Sequence, residues 1–115
     1  SQTSIFAATT GDIYIDSGGG TSYDVQQWNV NSANHTVVMR VQDRCYGLFV
    51  DILESIYCAQ SSSNQVLKRS MNESDINQTT TVAGNGTAGR DPHLLDQPRG
   101  IFVTDQLDLY VADCG

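Results

Sequence analysis

The chain has 115 residues, enough for one ordinary domain, and its 13 acidic residues against six basic ones give a formal net charge of −7. Nucleic acid is not an expected partner, because no stretch collects Lys and Arg with interleaved aromatics. No apolar run reaches the roughly 18 to 20 residues that a membrane span needs. The 39% hydrophobic content and the abundance of Ser, Thr, Asn, Gln and Gly are typical of a β-rich surface.

The first predicted element is a β-hairpin formed by residues 5–7 and 12–15. Both runs are rich in β-branched and aromatic residues, and a polar turn separates them. A third strand is predicted over residues 24–28, and a weaker fourth strand lies around residues 37–39. The glycines at 18–20 are expected to form the turn before the third strand.

The same hairpin recurs twice further along the chain, over residues 47–58 and 100–111. The equivalent apolar residues are Ile5, Leu48 and Ile101 in its first strand and Ile13, Ile56 and Leu109 in its second. Both strands shift by 43 residues from the first copy to the second and by 53 from the second to the third, so the turn keeps its length. A strand over residues 65–69 and a weaker one around 80–83 complete the second copy.

Four short strands in each period of 43 to 53 residues are typical of a β-propeller blade, and the three-and-four spacing of helical repeats is absent. The predicted fold class is therefore all-β, a partial β-propeller with four-stranded antiparallel blades. Residues 1–44 are assigned to one blade, 45–97 to a second and 98–115 to the start of a third. Because the chain begins with Ser1 and ends just after a strand-like run, we expect an excerpt whose remaining blades cover its open faces.

The most specific motif lies in residues 82–113. It consists of Val82-Ala83-Gly84-Asn85-Gly86-Thr87-Ala88-Gly89, Leu94-Leu95, Gln97-Pro98-Arg99-Gly100-Ile101 and Asp108-Leu109-Tyr110-Val111-Ala112-Asp113. This run resembles the NHL repeat family. The resemblance implies a closed ring of blades whose channel mouth and connecting loops form a binding surface. Members of the family are protein or RNA interaction modules, and a few related propellers carry enzymatic sites.

Several residues have predicted structural roles in such a repeat. Gly84, Gly86 and Gly89 are expected to supply positive φ where the chain crosses to the next blade, and Pro98 is expected at the entrance of a strand. Aromatic side chains are expected to pack between the blades as core residues. These are Phe6, Phe49 and Phe102, with Tyr14, Tyr57 and Tyr110.

Glycosylation sequons and cysteines indicate the compartment. Asn-x-Ser/Thr sequons without proline occur at Asn34, Asn72, Asn77 and Asn85. A chain of this composition produces one or two sequons by chance, but four in predicted loops favour a glycoprotein that is extracellular or at the cell surface.

Cys45 and Cys58 flank the second hairpin. A disulfide between them would tie one blade together and contribute about 3 kcal/mol in the chain-entropy model. The alternative is two buried free thiols. Cys114 is left over, and its partner is expected outside this chain.

No catalytic, cofactor-binding or metal-binding motif emerges. Asp91, His93 and Asp96 precede Pro98 and could suggest a metal or acid–base cluster, but a solvated loop is the simpler interpretation. His35 lies inside a sequon and is expected to be exposed. Four aspartates near strand ends are expected mostly to accept backbone hydrogen bonds in turns. They are Asp16, Asp51, Asp105 and Asp113.

The leading functional hypothesis is an extracellular propeller scaffold that binds protein or glycan partners on its loop face, without a cofactor and without a catalytic site in this chain. One alternative is an extracellular propeller enzyme, a metal-assisted lyase or hydrolase whose site is assembled from several blades. A further alternative is a cytosolic NHL module that binds protein or RNA. The acidic charge and the sequons count against this last hypothesis.

Overall fold

The computed structural model describes residues 4–19, 22–29, 31, 34–60, 63–70, 74–84 and 98–113. These residues form ten β-strands. The strands are β1 (Ile5–Ala7), β2 (Asp12–Gly19), β3 (Ser22–Asn29), β4 (Asn34–Val41), β5 (Gly47–Val50), β6 (Ile56–Gln60), β7 (Gln65–Arg69), β8 (Thr80–Gly84), β9 (Pro98–Val103) and β10 (Leu109–Asp113). Within the described ranges, no helix is long and apolar enough to cross a membrane.

The strands form three antiparallel sheets, each in simple sequence order. The first sheet contains β1 to β4, the second contains β5 to β8, and the third contains β9 and β10. All three predicted hairpins are present, and so are the third and fourth strands of the first two repeats. The chain is therefore all-β, with four-stranded antiparallel sheets as predicted.

The turns of the three hairpins have the same backbone geometry. Gly11, Glu54 and Leu107 occupy equivalent positions and have φ angles of 96°, 66° and 69°. Each donates its backbone N–H to the carbonyl three residues earlier, at 3.1, 2.9 and 2.8 Å respectively. A left-handed backbone conformation is costly for residues other than glycine. The turn therefore imposes this conformation on the backbone of Glu54 and Leu107 against their intrinsic preference.

The glycines of the first sheet differ from the sequence-based expectation. Gly18 and Gly19 do not form a turn but end β2, where they pair with Tyr23 and Ser22. The ladder needs only backbone N–H and C=O groups, so residues without side chains can extend it. Gly20 lies outside the described residues. Of the other predicted positions, two are confirmed: Gly84 ends β8 with a φ of 74°, and Pro98 is the first residue of β9. Gly86 and Gly89 lie outside the described residues.

The core lies between the sheets. The larger cluster, between the first and second sheets, contains Tyr14, Val25, Met39, Val41, Cys45, Leu48, Val50, Ile56 and Cys58. The smaller cluster, between the second and third sheets, contains Tyr57, Ala59, Val66 and Val103. Each sheet thus buries apolar side chains against its neighbour, which stabilises the stack by removing their surface from water.

Equivalent phenylalanines form a ladder that crosses all three sheets. The ring centroids of Phe6 and Phe49 are 4.8 Å apart, and those of Phe49 and Phe102 are 5.5 Å apart, at angles typical of favourable aromatic pairs. The predicted packing of aromatic rings between repeats is confirmed for Phe6, Phe49, Tyr14 and Tyr57.

The last repeat departs from this expectation. Phe102 and Tyr110 are 57% and 61% exposed, so neither is a core residue in this structure. The physical reason is that the described residues place no further sheet against this side of β9 and β10.

Candidate interaction face and polar cleft

The three hairpin turns lie around a shared groove on one face of the molecule. We call this surface the turn face and define it as residues 8–12, 51–55 and 104–108. The groove has a volume of about 500 Å³, and all three turns contribute to its lining, with Thr10, Glu54 and Asp105 among the contributors. Phe6 and Phe49 form part of its wall. The repeat therefore brings together three segments that are far apart in the sequence.

The turn face combines exposed apolar side chains with carboxylates. Ile52, Leu53 and Leu107 are 59%, 57% and 42% exposed. Glu54 and Asp105 are exposed in the same turns. Aliphatic side chains that protrude into solvent beside a groove are a common feature of surfaces that bind other proteins.

Asp51 orders the middle turn of this face. One oxygen of its buried carboxylate accepts hydrogen bonds from the backbone N–H groups of Leu53 and Ser55, both at 2.9 Å. The other oxygen accepts the hydroxyl proton of Tyr57 at 2.8 Å. Burial raises the pKa of Tyr57, and the hydrogen bond and charge of Asp51 raise it further. The prediction that Asp51 accepts backbone hydrogen bonds in a turn is confirmed.

Cys45 and Cys58 form the predicted disulfide. Cys58 lies in β6, while Cys45 lies in the segment that connects the first sheet to the second. Both side chains are fully buried in the larger core cluster. The bridge therefore fixes the incoming connector onto the second sheet. Cys114 lies outside the described residues.

Asp16 is the second buried carboxylate and lies inside β2, not at a strand end. Its Oδ2 is 3.8 Å from Nε of Arg44, too far for a hydrogen bond, and its Oδ1 has no partner within the described residues. The backbone of Cys45 donates a hydrogen bond to the carboxylate. Burial raises the pKa of Asp16 to about 6, because this bond and the charge of Arg44 offset only part of the lost hydration.

The same region ties the connector to the first sheet. The hydroxyl of Ser4 donates to the carbonyl oxygen of Cys45 at 2.7 Å, and the N–H of Asp16 donates to the carbonyl oxygen of Ser4 at 3.1 Å. The bonds that Asp16 makes therefore lie within the first sheet and between that sheet and the connector, and they do not cap a turn.

A second concave region, which we call the polar cleft, lies between the end of β4, the β6–β7 turn and the segment before β8. It has a volume of about 570 Å³. Val41 and Leu67 are its apolar lining residues, and the others carry amide, hydroxyl or charged groups. This cleft could not be anticipated from the sequence, because its walls come from three separate segments.

A hydrogen-bonded network fixes the wall of the polar cleft. Gln60 is only 2% exposed, and its Nε2 donates to the backbone carbonyl of Asp43 at 3.0 Å. Its Oε1 accepts from Nε2 of Gln65, also at 3.0 Å, and the hydroxyl of Ser63 donates to the carboxylate of Asp43. A buried amide with both ends bonded is a rigid element of the wall.

Two of the four sequon asparagines are within the described residues. Asn34 is exposed at the start of β4, where it pairs with Asn29 across the hairpin. Asn77 is exposed in the segment before β8 and lines the polar cleft together with Thr79, the third residue of its sequon. Asn72 and Asn85 lie outside the described residues.

Of the remaining predicted positions, His35, Asp105 and Asp113 lie in the part of the chain that the structure describes. Asp91, His93 and Asp96 fall outside that part, and within it no three His, Cys, Asp or Glu side chains are grouped as metal ligands. His35 is exposed, as expected, and its ring stacks on Trp28 at a centroid distance of 4.4 Å. Asp105 is exposed in its turn, and Asp113 ends β10.

Comparison with known proteins adds no assignment. The chain matches no protein-family model, and no curated protein is similar to it at a significant level.

Proposed function

We propose that this chain is part of an extracellular NHL-type β-propeller that serves as an interaction scaffold for a protein or glycan partner. Two four-stranded sheets and a third hairpin, stacked through equivalent aromatic residues, support the propeller. The disulfide between Cys45 and Cys58 is consistent with an oxidising compartment.

One observation carries the proposed binding role, namely the composition of the turn face. Ile52 and Leu53 are apolar, more than half exposed and adjacent, and they protrude beside a groove to which all three repeats contribute. Their exposure costs solubility without any gain in core packing, which is the usual situation at a surface that a partner covers. The partner is proposed to contact this face, where apolar contacts would supply affinity and the carboxylates orientation.

The binding role is tested by replacing Ile52 and Leu53 together with Asp. The variant and the wild type are used to capture cross-linked partners from the extracellular fluid of the producing cells, and the cross-linked peptides are identified by mass spectrometry. We expect a partner that is cross-linked to the turn face of the wild type and lost from the variant.

The control is Val82→Asp, because Val82 is 38% exposed on β8 and lies outside the turn face. This variant should retain the partner. A set of cross-linked proteins that is the same for all three forms would contradict a role for the turn face.

The architecture is tested separately by imaging the protein together with its natural flanking sequence. Single-particle electron microscopy should show a ring of blades around a channel. An open or linear stack of sheets would contradict the propeller and leave the turn-face test unaffected.

A further inference from the structure

We infer that the polar cleft is the seat of a glycan attached to Asn77, so that the first sugars of this glycan pack against the protein and join the first sheet to the second. This inference rests on the proposed extracellular location, since only a secreted chain would be glycosylated at this sequon. The occupant is thus a covalently attached saccharide of the protein itself.

The position of Asn77 is fixed relative to the cleft. Its backbone N–H donates to the carboxylate of Asp75 at 2.9 Å, and its side-chain Nδ2 donates to the same oxygen at 3.1 Å. The carbonyl oxygen of the intervening Ile76 accepts the backbone N–H of Arg40, in β4 of the first sheet, at 2.9 Å. A sugar attached to Nδ2 leaves one N–H on that nitrogen, so the bond to Asp75 is compatible with glycosylation.

The lining of the cleft suits a pyranose. Gln42 and Thr79 carry groups that both donate and accept hydrogen bonds, as sugar hydroxyls require. Val41 and Leu67 provide a small aliphatic surface against which the C–H face of a sugar ring can lie. The hydrogen bonds of Gln60 hold this wall of the cleft in place before a sugar binds, which lowers the cost of ordering that wall.

Attachment removes the main entropic cost of binding. A free monosaccharide would bind weakly to an open polar cleft, but a sugar tethered at the rim has a high effective concentration there. Asn34 offers a comparison, because it is also exposed but lies at the end of the β3–β4 hairpin and does not line the cleft. A glycan on Asn34 is therefore expected to be solvated and to have no effect on stability.

The test compares the same variants made in two hosts. A glycosylating eukaryotic cell supplies the glycan, and the bacterial periplasm forms disulfides without attaching it. Thr79→Ala removes the Asn77 sequon but keeps the asparagine, Thr79→Ser preserves the sequon, and Thr36→Ala removes the Asn34 sequon as a matched control. Occupancy of each site is measured by mass spectrometry and the melting temperature by scanning fluorimetry.

We expect T79A to lower the melting temperature by about 4 °C more in the eukaryotic product than in the bacterial product, the size of effect that a modest set of contacts has in a domain of this size. T79S should behave as the wild type in both hosts, and T36A should show no dependence on the host. Gln42→Ala, in the cleft wall, should lower the melting temperature of the glycosylated form alone.

Three results would overturn the inference, and they differ in what else they affect. If Asn77 is occupied and T79A shows no dependence on the host, the glycan does not pack in the cleft. If other sequons are occupied and Asn77 is not, the cleft has another use, while the extracellular proposal stands. If no sequon is occupied, the inference fails together with the proposed location.

Discussion

Asp16 and Asp51 are both buried, at 4% and 6% exposure, but their surroundings differ sharply. Asp51 directly follows the first strand of a hairpin and accepts hydrogen bonds from three donors within the next six residues. Asp16 lies in mid-strand, where the groups that face it come from the connector to the second sheet: the backbone of Cys45 and, at 3.8 Å, the guanidinium of Arg44. The local hairpin provides hydrogen-bond donors for both oxygens of Asp51. At the junction between the first sheet and the connector, one oxygen of Asp16 has no partner within the described residues.

Burial by itself therefore does not make a carboxylate stabilise the folded protein. A buried charge costs free energy unless hydrogen bonds replace the lost hydration. The three hydrogen bonds that the carboxylate of Asp51 accepts replace its lost hydration. At Asp16 the replacement is incomplete, and burial raises the pKa of its carboxyl to about 6.

The largest effect is expected from removing the acceptor in the turn. Asp51→Ala leaves two backbone N–H groups and the hydroxyl of buried Tyr57 without their partner, so the free energy of unfolding should fall by about 3 kcal/mol or more. Urea denaturation at pH 7 measures this loss.

Tyr57→Phe is the matched control, because it removes only the hydroxyl from the same network. It should cost about 1.5 kcal/mol, the lower end of the range for a hydrogen bond to a charged group. Equal losses of unfolding free energy in the two variants would mean that the backbone donors of the turn contribute nothing. That result would contradict the explanation given for the difference between Asp51 and Asp16.

Asp16→Asn is expected to raise the free energy of unfolding, whereas Asp51→Ala lowers it. The folded-state pKa of Asp16 is about 6, above the ordinary 3.8, so the folded protein binds this proton more tightly than the unfolded chain does. The resulting destabilisation is fully present above pH 6 and disappears as the pH falls below about 4, with an upper size of about 3 kcal/mol. The Asn variant avoids it, although it also loses the attraction to Arg44, so a net gain of about 1 to 2 kcal/mol is expected at pH 7.

The pH dependence is the sharper part of this prediction. The difference in unfolding free energy between variant and wild type should shrink steadily from pH 7 to pH 4, and the other titrating groups cancel in that difference. A difference that stays constant over this range would show that the proton on Asp16 is not involved. A destabilised variant at pH 7 would show that the pair with Arg44 outweighs the cost of burial.

The repeat explains why the hairpins and the four-stranded antiparallel sheets could be predicted from the sequence. Each hairpin keeps its length, so apolar and aromatic residues recur in register, and in the structure Phe49 and Tyr57 are cross-strand partners. Asp51 could also be anticipated, because aspartate at the end of a strand commonly accepts hydrogen bonds from a turn.

Other features depend on contacts that no local pattern encodes. Glu54 and Leu107 adopt positive φ although their residue types disfavour it, because the turn geometry of the repeat overrides the local preference. The environment of Asp16 and the polar cleft are each formed by segments that are far apart in the sequence. The residues that meet there could therefore not be identified from the sequence alone.

The smallest effect is expected at a carboxylate that is not buried. Asp24 and Arg40 face each other directly across β3 and β4, with Oδ1 and Nε 2.9 Å apart, but their side chains are 28% and 43% exposed. Water already solvates both charges, so the pair should contribute only about 0.5 kcal/mol. A double-mutant cycle with Asp24→Asn and Arg40→Gln in unglycosylated protein isolates this coupling, and 1 M salt should reduce it further. A coupling above about 2 kcal/mol would place this exposed pair alongside Asp51 and contradict the conclusion that solvent exposure limits how much a carboxylate stabilises this fold.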